Sequence, residues 1–366
     1  MNRIFKLSLL SVVMSLPLIA PVSVSANATT KSPAAFSSES AIVQSIASFE
    51  KQLKTSGKVD LSSTPNLIHE ITNVSSDWEK LKPDSGTLCV GWVGETNVAA
   101  NPCVWGSASS KVTMVLFGDS HLDQWLSDFV QIAGTRKWRV VSFLRDGCGA
   151  AQSQTTALYG STVLAQSQCL KWRANSLASI KKLDPNFIVY TSSTGGLNVG
   201  VGTSPGPGIK SYLSQEQSLV KTLILDVSGH VKKHVISIAD TMRATYKNGS
   251  GFYTTATCLS QSGLQVSYDA SYTPTVASNN RNACYRIFND ENTDAGTTVR
   301  QNLIQTDRNL GISVINPEPW MCDTSQPTGV CPPVIANTLV YYDTGHITLS
   351  FSKLLVNLIS NELPTK

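Results

Sequence analysis

Val112-Thr113-Met114-Val115-Leu116-Phe117-Gly118-Asp119-Ser120-His121 is the stretch that decides how this chain folds. Its apolar run, Val112 to Phe117, reads as a buried strand. Ser120 then stands at the carboxyl end of that strand, where a helix begins and where open α/β sheets place their chemistry. Far downstream, Asp343-Thr344-Gly345-His346 sets a carboxylate and an imidazole on one turn. That spacing lets His346 serve as a base while Asp343 holds its ring. Each half alone has a plainer reading: Ser120 as a helix cap, His346 as a surface histidine at the start of the last helix. Together they spell an acyl-transfer site.

Outward from Val112 the chain alternates strand and helix. Helices are expected at about Asp123 to Thr135, Cys169 to Lys182, Lys210 to Val227 and Thr297 to Leu310, with a closing helix from Thr348 to Asn361. Strands are expected at Arg139 to Leu144, Phe187 to Thr191, Val235 to Ala239 and Ile312 to Ile315. This alternation builds a parallel sheet, and right-handed crossovers make it a three-layer α/β/α sandwich. A polar insert, Thr241 to Asn292, is expected to cover one edge of the site. No internal repeat is evident.

Residues 1–26 carry a basic start (Arg3, Lys6), an apolar stretch from Leu7 to Ala20 and the small-residue triplet Val24-Ser25-Ala26, the pattern of a cleaved secretory signal. Ala26-Asn27-Ala28 offers a second cut site nearby, and an uncleaved anchor is the alternative. The predicted location is therefore secreted or extracytoplasmic, in the cell envelope. From residue 27 to 86 the chain is rich in Ser, Ala, Thr and Lys, with one helix between Ser40 and Lys54. It reads as a flexible tether with a short helical lead-in, ahead of a catalytic domain over residues 87–366.

Cys89, Cys103, Cys148, Cys169, Cys258, Cys284, Cys322 and Cys331 all lie beyond the signal, and an even count in an exported chain points to disulfides. Eight cysteines allow about 105 pairings. Nearest-neighbour bridges would each close a modest loop. No Cys-x-x-Cys or His-Glu-x-x-His spacing favours a metal. The formal charge of +4 includes Arg3 and Lys6 of the signal, and the remaining basic residues are scattered rather than striped, which speaks against a nucleic-acid partner.

These residues carry a resemblance to the SGNH hydrolase family, and within it to the extracytoplasmic domain often fused behind the membrane acyltransferase-three family. Beyond Gly118-Asp119-Ser120-His121, the resemblance rests on Gly147-Cys148, Cys169-Leu170-Lys171-Trp172, Ala239-Asp240-Thr241 and Cys258-Leu259. It continues through Pro317-Glu318-Pro319-Trp320-Met321-Cys322, Cys331-Pro332, Tyr342-Asp343 and His346-Ile347-Thr348. The resemblance implies a flavodoxin-like fold, with Ser120 as nucleophile, His346 as general base and acid, and Asp343 as its orienting carboxylate. It implies no cofactor. Family members move or remove small O-acyl groups, commonly acetyl, on cell-envelope polysaccharides or glycolipids, so an acylated glycan or glycolipid is the implied substrate.

The chain is expected to depart from those members in lacking the fused membrane domain. The resemblance therefore implies either a separately encoded membrane acyltransferase as acyl donor or an esterase acting alone. For the oxyanion hole the backbone N–H of Ser120 is the first donor, Gly147 and Gly149 compete for the second, and Asn198 within Gly196-Leu197-Asn198 is the third, although Val199 stands where the family usually has aspartate. A catalytically idle module that binds glycan or a membrane partner is the competing reading.

Several other residues invite assignment. Asp119 is expected to brace the nucleophile turn through backbone N–H groups, and His121 to be structural or substrate-facing. His230 and His234 have zinc-like helical spacing but read as a solvated turn. Gly200 to Gly208 reads as a mobile loop, not a phosphate loop. Trp125 and Trp172 are expected in the core, and Trp105 and Trp320 against disulfides in preference to a sugar.

Overall fold

The computed structural model describes residues 39–78, 89–91, 97–151, 163–191, 193, 213–214, 216–219, 221, 234–242, 246–248, 251–270, 283–288, 296–326 and 328–365. Residues 1–26, Asn198, Gly200 to Gly208 and His230 lie outside that set.

The parallel sheet is built on β4 (Thr113–Gly118), the apolar run that leads into Ser120. It is preceded by β1 (Lys58–Asp60), β2 (Val90–Gly91) and β3 (Cys103–Trp105), and followed by β5 (Arg139–Arg145), β6 (Phe187–Tyr190), β7 (His234–Ile238) and, after four short strands, β12 (Ser313–Ile315). The spatial order is β12-β7-β6-β4-β5-β2, with β3 antiparallel on β5. Taken in chain order, β4, β5, β6, β7 and β12 therefore run 2-1-3-4-5, the flavodoxin order. Because β4 lies between β5 and β6, its carboxyl end is the point where the winding reverses.

Alternation along β4 sends its side chains to two separate cores. Met114 and Leu116 join Trp125, Phe129, Phe351 and Ile359 on one face, while Val115 and Phe117 join Trp172 and Ile180 on the other. The first face is covered by α4 (Leu126–Arg136) and the closing helices, and the second by α5 (Val163–Leu183). The closing helix is in two pieces, Leu349–Leu354 and Val356–Glu362, and α5 begins before the expected Cys169. Trp105 is half-buried against the first core, and Trp320 lies within it, as do Cys322 and Cys331.

The bridges are Cys89–Cys103, Cys148–Cys169, Cys258–Cys284 and Cys322–Cys331, each between neighbours in sequence. Cys148–Cys169 fastens the loop leaving β5 to α5.

One expectation needs correction. The segment read as a tether is, over residues 39–78, part of the packed body: α1 (Glu39–Ser56) buries Ile42, Ile46, Phe49 and Leu53 in the larger core. Those residues recur at helical spacing, so α1 has an apolar stripe that a Ser- and Ala-rich composition conceals. Glu39 in its first turn and Lys54 in its last complement the helix dipole. Ser45 Oγ accepts the Ala336 N–H at 2.9 Å, which ties α1 to the far end of the chain.

The polar insert contributes to the same body. Its β10 (Gln265–Ser267) pairs antiparallel with β1, and Cys258 and Leu259, on the helix Thr255–Gln261, are buried in the same core.

Leu53 is fully buried. Leu53→Ala is expected to lower unfolding stability by about 2–5 kcal/mol in a urea titration of the whole chain; a change within about 0.5 kcal/mol, as at a typical exposed position, would contradict the docking of α1.

Candidate active site

Gly118 ends β4 where an added Cβ would stand 2.7 Å from the Thr191 carbonyl oxygen, so the close approach of β4 and β6 leaves no room for a side chain. Asp119 follows in extended conformation and caps α3 (Ser120–Asp123) by accepting the His121 N–H at 3.0 Å. Its other carboxylate oxygen accepts the Ser193 N–H at 2.8 Å, joining the turn to the loop leaving β6. This is the bracing role expected of it. Burial pushes the Asp119 carboxyl above its ordinary value, against the pull of His121 and the two N–H donors.

Ser120 is thereby fixed at the first position of a helical turn, where its own N–H has no intrahelical acceptor. The Asp343–His346 loop reaches it from across the chain. His346 Nε2 lies 2.9 Å from Ser120 Oγ and His346 Nδ1 lies 2.8 Å from Asp343 Oδ2. Asp343 Oδ1 also accepts the N–H groups of Gly345 and His346, at 2.7 and 2.8 Å, which curls the loop so that carboxylate and imidazole meet.

Solvent reaches the two partners unequally: the Asp343 side chain is 37% exposed and that of His346 13%. Burial lowers the His346 pKa from 6.5, with the charge of His121 acting in the same direction and Asp343 opposing both. For Asp343, burial acts upward, but the hydrogen bond and charge of His346 and the two N–H donors outweigh it and hold the carboxyl at about 2. A neutral imidazole between a hydroxyl and an ionised carboxylate can take the hydroxyl proton.

Sequence reasoning missed three features of this site. Buried Gln124 donates through Nε2 to the His121 carbonyl and to Thr241 Oγ1, and accepts the Ile347 N–H at 3.0 Å on Oε1. Thr241 Oγ1 donates to the Gly345 carbonyl at 3.2 Å, so Gln124 and Thr241 lock the loop carrying His346 to α3 and to the end of β7. The second feature is a buried His121–Asp240 pair, with the His121 ring 4.5 Å from that of His346. His121 is thus structural, of the two roles left open for it. The third is Trp78, whose ring meets His346 edge-on at 4.7 Å and Tyr342 at 5.0 Å. A lone glutamine after a short helical turn carries no signal of its own, and Trp78 belongs to no motif or periodic run.

Gly147 lies in the loop after β5 at φ 73°, a conformation that favours glycine, and the Gly149 carbonyl accepts Arg173 Nε at 2.7 Å. Both glycines therefore sit at the same edge of the sheet as Ser120, one strand over. Among the described residues no group of three or more His, Cys, Asp or Glu side chains is gathered as a metal cage requires.

The neutral form of His346 is the one able to accept a proton, so the reactivity of Ser120 should rise with pH through the His346 midpoint and level off above it. That midpoint is expected below 6.5. His121→Asn removes the positive neighbour and should move the midpoint up, as read by NMR titration of the His346 ring. Gly118→Ala forces the β4 and β6 ends apart and should slow fluorophosphonate labelling of Ser120 by about 10²-fold.

A family model described as "SGNH domain (fused to AT3 domains)" matches residues 89–361. A solved structure similar to this chain is the periplasmic domain of the lipopolysaccharide acetyltransferase of Salmonella ser. Paratyphi A, at 14% identity and a TM-score of 0.47, covering 83% of this chain and 98% of that one. No curated protein matches the chain.

Proposed function

Because the chain belongs to the SGNH domain family, in the form found fused to AT3 domains, we propose that it is an exported serine O-acyltransferase or esterase acting on small acyl groups, in the first instance acetyl, of cell-envelope glycans or glycolipids. The observation that carries this reading is the unbroken hydrogen-bonded line from Ser120 Oγ through His346 to Asp343. A helix-capping serine has no need of an imidazole at its hydroxyl, nor of a buried glutamine holding that imidazole's loop in place.

Ser120 Oγ attacks the acyl carbonyl carbon and its proton passes to His346 Nε2. Asp343 steadies the imidazolium and keeps Nδ1 protonated. The carbonyl oxygen, now an oxyanion, is received by the N–H of Ser120 and by donors from the Gly147 loop and Asn198. Collapse expels the alcohol of the donor ester, which takes the proton back from His346 and leaves the acyl group on Ser120. A sugar hydroxyl or water then repeats the sequence in reverse, giving its proton to His346 as it attacks.

Transfer and hydrolysis differ only in which nucleophile arrives second. The signal-like pattern of residues 1–26 supports putting this chemistry outside the cytoplasmic membrane. The acyl group comes to it from an acylated glycan or glycolipid, or from a separately encoded membrane acyltransferase.

The test is the intact mass of the oxidised, folded chain after exposure to an activated acetyl ester or a fluorophosphonate, beside Ser120→Ala. An adduct on the wild type alone is expected. Adding glycan acceptors to the acetylated protein then separates transferase, which passes the acetyl on, from esterase. No adduct on either protein would reject the enzyme in favour of an idle glycan-binding module.

A further inference from the structure

We propose that Trp78, which precedes the family-matched residues, is a positioning residue for His346: it holds the imidazole on the line between Asp343 and Ser120 and keeps water off it. The inference rests on the acyl-transfer reading above. An imidazole bonded in-plane through both nitrogens can still rock about the line joining its two partners, and only groups packed against the ring prevent that. Trp78 supplies such a group, edge-on at 4.7 Å, and Tyr342 supports the indole from the side.

The indole is delivered by a clamp. Glu70 Oε2 accepts the Leu339 N–H at 2.7 Å on one side of the His346 loop. On the other side the Asp77 carbonyl accepts the Leu349 N–H at 3.1 Å, and Asp77 Oδ1 accepts Ser350 N–H and Oγ–H at 3.0 and 3.1 Å. The lead-in therefore grips the loop before and after Asp343–His346, and Trp78 follows directly on the second grip.

Charged and titratable groups around His346 come from three directions. They are Asp343 and Tyr342 on its own loop, Asp119 and His121 on the nucleophile turn with Asp240 behind His121, and Asp77 on the lead-in, engaged by Ser350. Burial is the largest influence on His346, and the indole packs against its ring. Removing the indole admits water to the ring and favours its charged form.

The experiment is the rate of fluorophosphonate labelling across pH for the full chain and for Trp78→Ala, Trp78→Leu and Trp78→Phe, with thermal melts alongside. Trp78→Ala is expected to label about tenfold more slowly on the plateau, with the acid limb moved up by about one pH unit. Trp78→Phe should stay within about threefold with the limb unmoved, because an aromatic edge is retained. Should Trp78→Ala fail to fold, Trp78→Leu carries the test, with the same upward movement of the limb. An unmoved limb in the folded aliphatic variants overturns the inference, whether or not the rate falls, since loss of packing alone lowers the rate without moving the limb. A folded wild type that does not label at any pH overturns the acyl-transfer reading itself, and the inference with it.

Discussion

The hydrogen bond between Ser120 Oγ and His346 Nε2 joins the end of the central strand to a loop 226 residues further along the chain, and most of the surrounding structure serves to keep those two atoms within reach. A shift of about 1 Å at such a contact is enough to cost two orders of magnitude in rate. Each partner is accordingly held more than once. Ser120 is fixed by the Asp119 cap and by the absence of a side chain at Gly118. The His346 loop is held from within by Asp343, from beneath by Gln124 and Thr241, and from outside by Glu70 and Asp77.

The electrostatics follow from the same arrangement. Two histidine–aspartate pairs lie with their imidazoles 4.5 Å apart, one pair buried and the other open to solvent on its carboxylate side. In a partly dry site like charges repel more strongly than in water. Burial is the main reason the proton-accepting form of His346 persists to lower pH than a free imidazole's, and the charge of His121 acts in the same direction. His121 thus bears on His346 both by ring contact and by charge.

Much of this was legible because it is local. Val112 to Phe117 announces β4 by composition, the strand–helix alternation gives the parallel sheet, and Gly118 to Ser120 with Asp343 and His346 identify themselves by residue type and spacing. What was not legible depends on partners distant in sequence. The helix near Ser40 could be foreseen, but its docking could not, because α1 packs in part on elements more than two hundred residues later, around Trp320, Val330 and Ala336. Gln124 looks like any polar residue early in a helix until Thr241 and Ile347 arrive against it. The short strands of the insert lack the length and alternation that reveal a strand, and β10 is defined only by its pairing with β1.

The lead-in has one more consequence, for the order in which the molecule assembles. Its anchors are among the longest-range contacts in the protein, from Ser45 to Ala336 and from Asp77 to Ser350, and contacts that close very long loops form late. The sheet can assemble from β4 to β7 while the chain is still emerging. The imidazole and its clamp come together only when both ends are present. An unfinished or half-folded molecule therefore holds Ser120 without His346 at its hydroxyl, a contact that needs both ends of the chain in place.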